Sequence, residues 1–325
     1  MKIYNIGIIG AGHIALKMAS TLAAMPRTHR YAIASREKSK AEAFASEQGF
    51  EHAYGSYEEL TEDPKVDLIY IATPHAFHFE QAKACILKGK PVLCEKAFTA
   101  NASQAEELLK LAEEKQVFIT EAIWTRYLPM SRTIVDLVHS GVIGTPYMLS
   151  ANLGYAITDR KRLVSPELAG GALLDVGVYT LNFASMVFGT EILSTVSSCV
   201  KMENGLDAQD SITLFYPDKK MAVLSCSMLA RSDRQGIISG DKGHIIVENI
   251  NNPQLIKVVN CNYQTVAEYQ LPPQVTGFEY EVNACINALD NGFLQCMEMP
   301  HCETLRIMKQ MDALRKEWGI RFPFE

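Results

Sequence analysis

The chain has 325 residues, 48% of them hydrophobic and 21% charged, with a formal net charge of −6 at pH 7. That length suits two domains with room for a core in each, and the acidic balance argues against a nucleic-acid or anionic-membrane partner. No apolar run is read as reaching the ~20 residues of a membrane helix; the N-terminal core strand leaves no room for a cleaved leader, so a cytoplasmic location is expected.

Tyr4, Ile6, Ile8 and Ile9 form a short apolar run that predicts a buried parallel strand. Gly10-Ala-Gly12-His-Ile-Ala15 follows, then an apolar helical pattern through Leu16, Met18, Ala19 and Leu22. This is G-x-G-x-x-A between strand and helix. Gly10 allows the tight turn, Gly12 lets backbone approach a pyrophosphate, and Ala15 is small enough for close helix–strand packing. The N–H groups of the helix start, from His13 and Ile14 on, would face the phosphates.

Tyr31-Ala-Ile-Ala34 predicts a second strand ending in Ser35-Arg36, about 23 residues beyond Gly12. An NAD-preferring site carries an acid at this corner to bond the ribose hydroxyls. Here Ser35 and Arg36 stand there, with Lys38 and Lys40 behind. A guanidinium can bond a 2′-phosphate, which favours NADP over NAD. A solvated basic turn, with Glu37 serving the ribose, is the competing reading.

Helix is expected over 39–48, 76–88 and from Asn101 through Ala112, with strands at Val66–Ala72, Pro91–Cys94 and Val117–Thr120, the last closing the set. Alternating strands and helices mean right-handed crossovers and a doubly wound sheet. Ligands on such sheets sit at the strands' carboxyl ends. One rim therefore collects Gly10–His13, Ser35–Arg36, Thr73, Pro74, His78, Glu95, Lys96 and Glu121. Taken alone, Lys96 stands between a solvated strand-end residue and an ammonium in contact with cofactor and substrate.

After Glu121 the rhythm changes. Trp124-Thr-Arg126-Tyr127 is an aromatic and cationic cluster, and the irregular stretch from Leu153 to Ser165, with Tyr155 and Arg162, is long enough to suggest a functional loop. Gly170-Gly171 introduces a helix running to Phe188, with Asp175 and Tyr179 at i and i+4 on one face. They are either a core tyrosine bonded to an aspartate or a proton donor with its orienting acid. From Ile192 to Pro272 strand follows strand, predicting a mostly antiparallel open sheet covered on one face by the Asp175 helix and the C-terminal helices. Its other face suggests a homodimer or higher homo-oligomer.

The eight cysteines form no C-x-x-C pair, and the eight histidines never flank a carboxylate at i, i+4. Reduced, buried thiols and no metal are expected.

The chain resembles the glucose–fructose oxidoreductase/inositol dehydrogenase/MocA family nearly end to end. The motifs that carry the likeness are Gly10-Ala-Gly12-His-Ile-Ala15, Thr73-Pro74 to His78, Leu93-Cys-Glu95-Lys96 and Gly170-Gly-Ala-Leu-Leu-Asp175-Val-Gly-Val-Tyr179. Glu121-Ala-Ile-Trp-Thr-Arg126 and Tyr179 make it most like the branch of dihydrodiol and NADP-dependent D-xylose dehydrogenases, where tyrosine replaces the histidine of most members. The family's Glu-Lys-Pro is Glu95-Lys96-Ala97 here, which restores an N–H at position 97.

The resemblance implies an α/β protein with an N-terminal Rossmann domain (1–121) and a C-terminal α+β substrate and oligomerisation domain (122–325) with a large, open, mostly antiparallel sheet. It implies NAD(P)-dependent hydride transfer at a carbinol or carbonyl carbon of a sugar, polyol or dihydrodiol. Tyr179 would be the general acid/base, with Lys96 assisting and Asp175 orienting. Trp124, Arg126 and Tyr155 would wall the pocket. An inositol or nucleotide-sugar dehydrogenase on the same site is the alternative enzyme, and a non-catalytic NADP sensor is the competing class.

Overall fold

The computed structural model describes residues 2–325, which group into two units. The first comprises the chain up to Trp124 together with Gln274–Lys309; the second comprises Thr125–Pro273 with Gln310–Glu325.

Six parallel strands build the first unit: β1 (Tyr4–Ile9), β2 (Thr28–Ala34), β3 (His52–Tyr54), β4 (Leu68–Ile71), β5 (Val92–Glu95) and β6 (Ile119–Ala122), in the order β3-β2-β1-β4-β5-β6. Side chains on both faces of β1 and β4 are enclosed, as the unbroken apolar runs demand: Ile6, Ile8, Ile9, Leu68, Ile69 and Ile71 are each at most 1% exposed. The order reverses between β1 and β4, which opens the crevice where doubly wound sheets take ligands. The three-residue β3 and the short helix Tyr57–Glu62 carry no periodicity long enough to be read from sequence.

The return at Gln274 differs from the expected single division at 121/122 and from the expectation that all C-terminal helices cover the second sheet. The helix Glu279–Asp290 belongs with the first unit. Its start is fixed by the Glu279 carboxylate, which accepts from the N–H groups of Val275, Thr276 and Gly277 at 2.7, 3.1 and 2.8 Å. Its end is fixed by Asp290, which accepts from Tyr4 Oη at 2.8 Å and pairs with Arg27 at 2.7 Å. Partners more than 260 residues apart leave no local pattern to read.

The second unit holds eight strands: β7 (Pro146–Gly154), β8 (Ser194–Lys201), β9 (Asp207–Phe215), β10 (Met221–Ser227), β11 (Gly236–Gly240), β12 (Gly243–Glu248), β13 (Leu255–Asn260) and β14 (Thr265–Gln270). They run β14-β13-β12-β11-β7-β10-β9-β8, all antiparallel except the β7–β10 pair. Period-2 alternation places Ala208, Ile212 and Leu214 of β9 inward and Ser211 and Phe215 outward. The helix Val178–Phe188 lies on the inward face, close enough that a side chain at Gly236 would collide with the Phe183 ring. By length and hydropathy the stretch Pro166–Phe188 could cross a membrane, which the sequence reading did not anticipate. Here 89% of its most apolar window is buried inside the protein, as befits a core helix.

Candidate functional site

At the carboxyl end of β1, Gly10 has φ +98°, and a Cβ there would meet Thr73 Cγ2 at 2.9 Å and the Ala72 carbonyl oxygen at 3.1 Å. The turns after β1 and β4 are thus pressed together, and only glycine serves. Gly12, by contrast, is exposed, and a Cβ there would meet nothing within 4 Å. It caps the helix His13–Ala24, whose N-terminus has no side-chain cap and no acid in its first turn. Open space over bare backbone at an uncapped helix start fits a pyrophosphate, so the residues present suit a dinucleotide.

Ser35 follows β2 directly and is nearly buried, its Oγ accepting from the Glu37 N–H at 3.4 Å. Arg36 is exposed, its guanidinium carbon 5.7 Å from the Phe77 ring centroid, so it faces the 3₁₀ turn His75–Phe77 that follows Thr73-Pro74. Thr73 Oγ1 donates to Gln81 Oε1 at 2.6 Å, holding this turn to the helix behind it.

From Val92 to Ala100 every residue is buried except Lys96, which is half-buried. The Glu95 carboxylate accepts from Tyr70 Oη and, at 3.2 Å, from the Lys96 N–H, which fixes the backbone beneath the lysine. The Lys96–Ala97 peptide is cis. His78, expected on the rim, is fully enclosed; its Nδ1 lies 2.9 Å from the Ala97 carbonyl oxygen and its Nε2 2.8 Å from that of Thr73. Glu121 is also buried, at 1% exposure. Trp124, half-buried, stacks on Phe278 with centroids 4.8 Å apart and planes 4° from parallel.

In the second unit Asp175 lies in a π-turn, Leu173–Gly177, and Tyr179 in the first turn of the α-helix that continues it. Extra turns of this kind recur at functional sites. Gly171, at φ +118°, lets Asp207 press against the turn; the buried Asp207 carboxylate accepts the Leu173 N–H and so caps it. Asp175 pairs with Arg162 at 3.0 Å, tying the irregular loop to the helix. Arg126 Nε donates to Asn182 Oδ1 at 2.6 Å and its Nη2 to Ser185 Oγ at 3.2 Å, gripping the Tyr179 helix one and two turns on. Tyr155 Oη accepts from Asn251 Nδ2 at 3.2 Å, and its ring lies 5.6 Å from the Arg234 guanidinium carbon.

Sequence reasoning placed Arg162 in the irregular loop but missed its pairing with Asp175, 13 positions away, and missed Asp207 altogether, whose partner Leu173 lies 34 positions away. It also missed Glu281, fully buried with neither carboxylate oxygen hydrogen-bonded within the protein, and held well above the ordinary carboxylate range by burial and then by the Glu95 charge. Among the described residues no cluster of three or more His, Cys, Asp or Glu could hold a metal ion.

Strand order, switch point and bare helix start define a dinucleotide-binding α/β fold joined to an open-sheet α+β unit. Residues 4–122 match the family model described as "Oxidoreductase family, NAD-binding Rossmann fold", and residues 131–246 match the GFO/IDH/MocA C-terminal domain. The chain is 32% identical to trans-1,2-dihydrobenzene-1,2-diol dehydrogenase of Mus musculus, covering 98% of this chain and 97% of the relative. It is 34% identical to D-xylose 1-dehydrogenase (NADP(+)) of Hypocrea jecorina, covering 98% and 92%. A 3-ketoreductase from Actinomadura kijaniata, solved with NADP and TDP-benzene, superposes with a TM-score of 0.88 at 25% identity over 97% of this chain and 98% of that one. The chain belongs to the Gfo/Idh/MocA family of NAD(P)-dependent oxidoreductases.

Proposed function

We propose that the chain is an NADP-preferring dehydrogenase or reductase acting on a carbinol or carbonyl carbon of a sugar, polyol or dihydrodiol. Tyr179 acts as general acid/base, Lys96 assists it, and the protein works as a homodimer through the open face of the second sheet. When bound, the nicotinamide supplies or accepts the hydride. Tyr179 gives a proton to the carbonyl oxygen on reduction and takes one from the hydroxyl on oxidation. An ordinary phenol, with pKa ~10, is a poor base at neutral pH. The Lys96 ammonium favours its phenolate form and bonds the substrate oxygen. Asp175 holds Arg162 and so orders the loop through Tyr155 that, with Trp124 and Arg126, serves the substrate.

The observation that carries this reading is Lys96 itself: the one residue of a nine-residue buried stretch to reach solvent, at a strand's carboxyl end, on a clamped backbone. Relatives named for dihydrodiol and xylose dehydrogenation, the second with NADP(+), support the substrate class and cofactor. The ketoreductase solved with TDP-benzene favours a nucleotide-sugar as the second reading.

The test is turnover against sugars, inositols, dihydrodiols and nucleotide-sugars with both cofactors. Tyr179→Phe and Lys96→Met should each abolish turnover and leave NADPH affinity nearly unchanged. Near-normal kcat in either variant would sink the assignment of roles, and wild-type NADPH binding without turnover on the whole panel would favour a sensor.

A further inference from the structure

We propose that Thr276 is a positioning residue that ties the pocket wall at Trp124 to the dinucleotide helix; the proposal rests on the role given to Trp124 above. Its Oγ1 lies 2.6 Å from Thr21 Oγ1, on the helix His13–Ala24 whose bare start fits a pyrophosphate. Thr21 is fully buried and donates its own proton to the Lys17 carbonyl oxygen at 2.9 Å, so Thr276 is the donor between the two hydroxyls. The next residue, Gly277, has φ +92° and presses on the indole: a Cβ there would meet Trp124 Cζ3 at 2.6 Å. Phe278, one further, stacks on the same ring. The turn is held stiff between these contacts, because the Glu279 carboxylate accepts from the N–H groups of Val275, Thr276 and Gly277 together. From His13 to Thr21 the helix spans eight residues, about 12 Å of stiff rod. Its start is therefore in fixed register with Thr276 and, through the clamped turn, with the Trp124 ring.

The chain has two tryptophans, Trp124 and Trp318, and Trp318 belongs to the other unit. Trp318→Phe therefore leaves Trp124 as the sole indole reporter. In that background, acrylamide quenching should fall on saturation with NADP+. Adding Thr276→Val, which removes the hydroxyl and keeps the shape, should cancel that fall, and Thr276→Ser in its place should restore it. NADP+ affinity, read by calorimetric titration, should be nearly unchanged in both, because the Gly10 turn and the helix start are untouched. A second readout leaves Trp318 in place: Thr276→Val alone should raise substrate KM about tenfold, the order of one lost hydrogen bond, and keep kcat within about threefold.

Direct shielding of the indole by the cofactor would survive Thr276→Val, so a fall that persists in that variant overturns the proposal. Quenching that ignores NADP+ in the Trp318→Phe protein overturns it too, as does Thr276→Ser losing both the response and melting temperature, which would make the residue a matter of packing. If wild type turns over no substrate, the proposed reaction fails, yet the quenching response still decides whether Thr276 ties the ring to the helix.

Discussion

Arg36 bears the cofactor choice at the scale of a single side chain. It is exposed at the end of β2, where an acid would bond the 2′- and 3′-hydroxyls of NAD, and it leans toward Phe77 across the turn after β4. A charged hydrogen bond is worth about 1.5–3 kcal/mol, roughly a 10- to 150-fold change in affinity. Arg36→Ala should therefore weaken NADPH binding by about that factor and leave NADH within about threefold, measured by parallel titrations. An unchanged NADPH-to-NADH ratio would return Arg36 to an ordinary solvated turn. Residues of this kind were legible because their meaning is local. Gly10, Gly12, Arg36 and Lys96 each follow a strand directly, so position along the chain fixes position on the rim. His78 was only half legible: its motif located it, but its burial depends on the Ala97 carbonyl 19 positions away. Arg162 was located but its pairing was illegible, since nothing in an irregular loop announces a partner at Asp175.

Among the elements, the π-turn under Tyr179 stands on a buried acid pair. Asp207 caps it through the Leu173 N–H, and Asp210, three residues along β9, accepts from Cys226 Sγ at 3.0 Å. Burial, then the neighbouring Asp207 charge, pushes the Asp210 carboxyl up to about 8, well above the ~3.9 of an unfolded chain. The folded state thus holds this proton more tightly than the unfolded state does. Stability from the group is fully present below about pH 4 and is lost as pH rises toward 8. Wild-type melting temperature should fall between pH 5 and pH 8, and Asp210→Asn should flatten that fall, its curve crossing above wild type at the alkaline end. Parallel curves by calorimetry would show that Asp210 is not the titrating group. The helix after Gly170-Gly171 was readable from its apolar run and glycine start, whereas Asp207 and Asp210 look, in sequence, like the polar half of an alternating strand.

For the whole molecule, the open face of the second sheet divides into bands. Across β9, β10 and β7 the register aligns Phe215, Met221 and Met148 in one row. The next row aligns Val196, Thr213, Val223 and Ser150 from β8 to β7. Val196 is 64% exposed, Met148 46%, Val223 38% and Phe215 36%. The row beyond, Ser198, Ser211, Ser225 and Asn152, is wholly polar and borders a concavity of about 330 Å³. Apolar side chains in register, with a polar border, suit a flat self-complementary contact between two copies, where the twofold sets the same rows against each other. Val196→Glu with Val223→Glu would place four carboxylates in that contact, two from each copy, with no basic partner in either row. The double variant should sediment as a monomer where wild type sediments as a dimer. Its NADPH affinity should be unchanged, because Gly10, Gly12 and Arg36 belong to the other unit and their geometry is set by β1, β2 and β4. A wild-type monomer at micromolar concentration, or a double variant that still pairs, would show that the two rows are not what joins the copies.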